Sequence, residues 1–158
     1  MTNLVTPPVA ALAVAVAQGQ YGLPHALHGH LFTPTASARQ LATRAFTCVE
    51  TVLGPCTGPV ACTGDDDTWT VTALWRPGVL VTLLIGRSLE GADEQHDYRL
   101  LASGGQALVD ALGPRFTLIG ATTSTLSFVP AAPDAPADTD PKSADEHPLV
   151  ATCLRSLA

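Results

Sequence analysis

The sequence predicts an α+β domain: a small antiparallel sheet of about five strands built on a central hairpin, with two or three helices on one face and extended arms at both termini. Three observations predict it. Thr68–Arg87 is rich in β-branched and aromatic residues and turns at Arg76-Pro77-Gly78. Residues 36–53 carry a single apolar face at helical spacing. Residues 1–38 contain no Asp, Glu, Lys or Arg, whereas 130–148 is a Pro/Ala/Asp-rich stretch. The chain therefore divides into an arm at 1–35, a core at 36–129 and an acidic tail at 130–158.

Thr6-Pro7-Pro8 opens a first helix, since proline has no donor to lose there, and Val9–Ala17 continues it until Gly19 and Gly22. A signal peptide needs a basic leading region, which is missing, and a membrane span needs about 20 apolar residues, roughly twice this run. No targeting or transmembrane segment is expected, and the helix packs on the domain or on a neighbouring subunit. Tyr21–Pro34 reads as a loop holding His25, His28 and His30. Thr33-Pro34 or Thr35 caps a helix over Ala36–Leu53, with Leu41, Ala45, Cys48, Val49, Val52 and Leu53 on one face; Gly54-Pro55 stops it.

Residues 54–67 form a Gly/Pro loop ending in Asp65-Asp66-Asp67. In the hairpin, a three-residue loop sets Trp75 opposite Val79, Ala73 opposite Val81, Val71 opposite Leu83 and Trp69 opposite Ile85, all on one apolar face, with Thr72 meeting Thr82 on the other. An acidic loop (88–97), a strand over His96–Ala102, a short helix over Gly104–Leu112 and strands over Arg115–Ile119 and Thr122–Val129 follow. Pro130–Pro148 is extended and solvated, and Leu149–Leu157 adds one or two helical turns.

At 158 residues and 46% hydrophobic the chain can bury a core. Only 14% of residues are charged, against roughly a quarter in an ordinary domain, which favours a surface partly covered by other subunits. Net charge is −6 and the seven arginines are scattered singly, so nucleic acid is not an expected partner. The four cysteines form no CxxC pair; Cys56 and Cys62 share one loop and could bridge in an oxidising compartment, and reduced thiols in a cytosol are the expectation.

His25, His28 and His30 are the sharpest candidate site, since clustered imidazoles can hold Zn²⁺ or Ni²⁺. Their spacing matches no standard site and no acid lies nearby in sequence to orient the rings, so a polar loop is the blander reading. Asp65–Asp67 lack the alternation of a calcium loop, and no base sits beside a cysteine. Glu90, Asp93, Glu94 and His96 lie on a loop without fixed geometry. No Walker A, GxGxxG, GxSxG or HExxH motif is present. No catalytic residue and no cofactor are assigned. The expected protein is a non-enzymatic assembly subunit of a virion or phage-tail-like particle, cytoplasmic or in the particle. Its expected partners are itself or other protein subunits in a homo-oligomer, with no nucleic acid and no membrane. Two alternatives stand beside it. One is a small acidic binding protein such as an immunity protein or a secretion chaperone, to whose element order this one is similar. The other is a metalloprotein built on His25, His28 and His30.

Overall fold

Strand and helix alternation sort the chain into a sheet with one covered face. The computed structural model describes residues 5–113, 115–120, 124–128 and 146–157. The elements are α1 (Pro7–Ala17), β1 (Pro24–Thr33), α2 (Ala38–Leu53), β2 (Val60–Gly64), β3 (Thr68–Arg76), β4 (Val79–Arg87), β5 (Gln95–Ala102), β6 (Gly105–Asp110), β7 (Arg115–Gly120), β8 (Ser124–Phe128) and α3 (Pro148–Leu157). One eight-stranded sheet runs in the order β2-β3-β4-β1-β5-β6-β7-β8. Strands β1 and β4 are parallel, and every other pair is antiparallel.

This corrects the expected fold class of a small antiparallel sheet of about five strands built on a central hairpin. Three segments join the sheet that the sequence reads otherwise. The supposed histidine loop is β1, a central strand flanked by β4 and β5. The Gly/Pro loop contributes β2 at one edge, and the expected helix over Gly104–Leu112 is β6. The hairpin exists, but its two strands lie towards the β2 edge. Its register matches the expectation at Trp69–Ile85, Val71–Leu83, Thr72–Thr82 and Ala73–Val81. At the turn it departs: Arg76 pairs with Val79 across Pro77-Gly78, an irregularity follows Leu74, and Gly78 takes φ 79°.

All three helices pack on one face. Along β3 and β4 the alternate residues Trp69, Val71, Ala73, Trp75, Val79, Val81, Leu83 and Ile85 are buried beneath them. The strongly amphipathic α2 seats Phe46 and Val49 there at 0% exposure, α1 packs on α2, and α3 packs on β2 and α2. Trp75 joins these layers: its Nε1 donates to Gly54 O at 2.7 Å and its ring stacks on Phe46 at 6.3 Å between centroids. The C-terminal segment is tied to α2 by Arg39–Glu146 (2.5 Å) and by His147 Nε2 with Glu50 Oε2 (3.1 Å).

The cap of α2 is Ser37 rather than Thr33 or Thr35. Its hydroxyl accepts from Gln40 N, and the Gln40 side chain accepts from Ser37 N, a complete capping box. Ser37→Ala is expected to cost about 1 kcal/mol in urea unfolding, because it frees the Gln40 amide and removes the exposed hydroxyl bond to Gln40 Oε1. Of the expected extended tail, Pro130–Pro148, residues 130–145 lie outside the described residues. No described helix is long and apolar enough to cross a membrane.

Candidate functional site

The face of the sheet away from the helices carries a different set of side chains, fixed by the same period of two. On β1, Leu27, Gly29 and Leu31 face the helices, so His28 and His30 face the open side. Register then lines up two rows across the strands. One runs Thr82 (β4), His28 (β1), Arg99 (β5), Leu108 (β6) and Thr117 (β7). The next runs Leu84, His30, Asp97 and Asp110. Directly opposed residues on neighbouring strands place their Cβ atoms about 4.5–5.5 Å apart, so these side chains converge. Together they line a groove of about 620 Å³.

Several of these groups are already oriented. Arg99 donates from Nε and Nη2 to Gln106 Oε1 at 2.9 and 2.6 Å. Gln95 Nε2 donates to Asp97 Oδ2 at 2.5 Å. Asp110 Oδ1 accepts from the backbone amides of Leu112 and Gly113, both at 3.0 Å, and so also serves the turn after β6. Placing Asp97 directly opposite Asp110 sets two carboxylates side by side, which an architecture selected for stability alone avoids. Two imidazoles, two carboxylates, a guanidinium and two threonine hydroxyls form a set of donors and acceptors suited to a ligand rich in hydroxyl groups.

Gly29 shapes the groove floor. A Cβ there would meet Leu83 Cδ2 at 2.8 Å and the Tyr98 ring at 3.0 Å, so only glycine lets β1 lie flat between β4 and β5. Beneath the floor, buried His96 and Tyr98 meet at 2.8 Å through Nε2 and the hydroxyl, with their rings edge to face at 5.1 Å. Burial lowers the His96 pKa to about 4; the Arg44 charge pushes the same way and Asp110 opposes it. Burial also pushes the Tyr98 hydroxyl well up, and the neighbouring Cys48 thiol up to about 11. His96 is therefore neutral when folded. The unfolded chain takes up this proton as pH falls below 6.5, so stability is lost between pH 6.5 and about 4. Urea unfolding at pH 5 is expected to give about 2 kcal/mol less stability than at pH 7 through this residue. In His96→Gln that difference should shrink by the same amount; an unchanged difference contradicts it.

The sequence candidates divide. His28 and His30 enter the groove, whereas His25 stays exposed at the start of β1, beside the irregularity at Pro24 and Ala26. Among the described residues no three His, Cys, Asp or Glu side chains are grouped to hold a metal ion. Asp65 Oδ1 instead accepts from the amides of Asp67 and Thr68, at 3.0 and 2.8 Å, as an ordinary turn residue does. Sequence reasoning missed Thr82, Asp97, Arg99, Asp110 and Thr117. Asp97 is the acid beside His30 that local sequence does not show.

No protein-family model matches the chain, and no curated protein matches it. Solved structures do. An oxidoreductase from Agrobacterium radiobacter in complex with NAD+, L-tartaric acid and magnesium superposes with TM-score 0.67 at 12% identity, over 80% of this chain and 44% of that one. Levoglucosan dehydrogenase in complex with NADH and levoglucosan gives 0.64 at 11% identity, over 77% and 44%. An inositol dehydrogenase homolog from Azotobacter vinelandii, complexed with NADH and myo-inositol, gives 0.67 at 10% identity, over 77% and 39%. The fold is shared with part of these oxidoreductases. The chain spans less than half the length of each of these structures. These matches overturn the expected non-enzymatic virion or phage-tail subunit: the solved structures that share the fold are oxidoreductases and dehydrogenases.

NAD is the group this likeness implies, and the described residues do not fit it. Dinucleotides sit at the carboxyl ends of parallel strands, where a glycine-rich turn opens a helix with free amides. Here one strand pair is parallel. The direct strand-to-helix turn among the described residues, Pro34-Thr35-Ala36-Ser37, holds no glycine, and Ser37 already occupies the Gln40 amide.

Proposed function

We propose that this chain is the substrate-binding sheet of an oxidoreductase acting on a polyhydroxylated small molecule, with the dinucleotide held by a portion outside this sheet. The observation that carries the reading is the groove on the open face, where His28, His30, Asp97, Arg99 and Asp110 converge from neighbouring strands. Carboxylates accept from sugar hydroxyls, Arg99 donates to their oxygens, and an imidazole within reach of a carbinol can take its proton. The likeness to proteins crystallised with levoglucosan and with myo-inositol supports the substrate class.

Calorimetric titration of the full chain with myo-inositol, levoglucosan and L-tartrate, and separately with NADH, tests it. Saturable heat from a polyol or hydroxy acid and none from NADH is the expected result. Binding of NADH alone, or no heat from any of the three and from a panel of hexoses and pentoses, overturns it.

A further inference from the structure

The four cysteines occupy unequal positions. Cys48 lies beside the Tyr98 hydroxyl, and Cys56 directs its Sγ to Gly58 O at 3.6 Å. Cys62 and Cys153 instead face each other. Cys62 is the buried residue of the edge strand β2 at 3% exposure, and Cys153, like Val150, is a fully buried residue of α3, the helix that packs on β2. The two thiols are near enough to perturb each other's ionisation. This replaces the Cys56–Cys62 pairing that proximity in sequence suggests.

We propose that Cys62 and Cys153 are a disulfide site that fastens α3 to the edge strand β2. Two placements argue for it. Buried thiols on two elements packed directly on each other need only a local approach to reach the bonded separation of about 2.05 Å. The fastening also acts on an edge strand, which lies beside β3 at one end of the sheet. The helix α3 packs on β2 and α2 through Val150 and Cys153, and the segment before it is tied by the Arg39–Glu146 and Glu50–His147 pairs. A cross-link there closes a loop of about 90 residues, long enough to remove much of the unfolded chain's entropy.

The oxidant is a small disulfide such as glutathione disulfide. While α3 is docked, burial raises both thiols, Cys153 to about 12, so exchange starts when α3 lifts. The Cys62 thiolate attacks one sulfur of the glutathione disulfide, breaking its S–S bond and releasing one glutathione. The Cys153 thiolate then attacks the Cys62 sulfur of the mixed disulfide and releases the second. The protein loses two protons and two electrons, and one glutathione disulfide becomes two thiols.

The test incubates full-length protein with glutathione disulfide, alkylates the remaining thiols and maps peptides by mass spectrometry without reduction. A Cys62–Cys153 peptide is expected, with Cys48 and Cys56 alkylated and the thermal midpoint roughly 10 °C above that of dithiothreitol-treated protein. Cys153→Ser should lose both the peptide and the shift, and Cys56→Ser should keep both. A Cys56–Cys62 peptide, glutathione adducts alone, a link between two copies, or a cross-link without a rise in midpoint overturns the proposal. Oxidised and reduced wild-type protein decide it even where a serine variant does not fold.

Discussion

Arg99→Ala is expected to weaken polyol binding by about tenfold or more while changing the unfolding free energy by less than about 0.5 kcal/mol. The two effects separate because of where the side chain stands. Arg99 is an exposed residue of β5 on the open face, and its described hydrogen bonds run to Gln106 on the next strand. Its removal opens no cavity in the core and breaks only solvent-facing bonds. A ligand in the groove, between Arg99 and His28, instead loses a charged donor, worth about 1.5–3 kcal/mol where water is displaced. His30→Ala should act in the same direction through the second row. Titration and urea unfolding on the same preparation read both quantities. A binding loss that tracks a stability loss would mean that Arg99 supports the sheet rather than the ligand.

Trp75→Ala should cost the most stability. The side chain is fully buried, stacks on Phe46 and donates to Gly54 O. Truncation removes the largest fully buried side chain among the described residues and leaves a void between β3 and α2, for which about 3–5 kcal/mol is typical. It also strands the Gly54 carbonyl at the end of α2. Trp75→Phe keeps most of the volume and loses the donor, so about 1–2 kcal/mol is expected. Urea midpoints for the pair separate packing from hydrogen bonding. Equal losses in the two variants would place the whole effect on the Gly54 bond.

The parts of this architecture legible in the sequence are those whose signal is local. Helix α2 repeats its apolar face over four turns, and the β3–β4 hairpin carries complementary alternation on both sides of a Pro-Gly turn, so even its register can be read at Trp69–Ile85 through Ala73–Val81. Strand β1 is hidden because its strand character comes from its neighbours. Gly29 weakens strand propensity, yet Leu83 and Tyr98 lie so close that nothing larger fits, and its histidines belong to a groove rather than to a pleated core. In β6 the run Ala107-Leu108-Val109 suits a helix turn and a strand equally; pairing with β5, a non-local contact, decides it.

The same reasoning explains the half-visible site. His28 and His30 stand out as unusual residues, but what they do depends on Asp97 and Arg99, far along the chain and opposite them only once β1 is known to lie beside β5. Without that pairing the imidazoles read as a metal loop lacking an acid. No GxGxxG motif is present, but the absence of an enzyme does not follow from that. An oxidoreductase fold can be divided so that one portion carries the nucleotide and another the substrate face.

The most direct measurement is a pair of ¹H–¹⁵N correlation spectra of the full chain, titrated with myo-inositol or levoglucosan in one series and NADH in the other. The expected result is polyol-dependent shifts confined to the strands of the groove, centred on His28, His30, Asp97, Arg99 and Leu108, with the NADH spectra unchanged. Shifts at the Pro34–Gln40 turn on adding NADH, or polyol shifts confined to the helix-covered face, would contradict a substrate-binding sheet that lacks its own dinucleotide site.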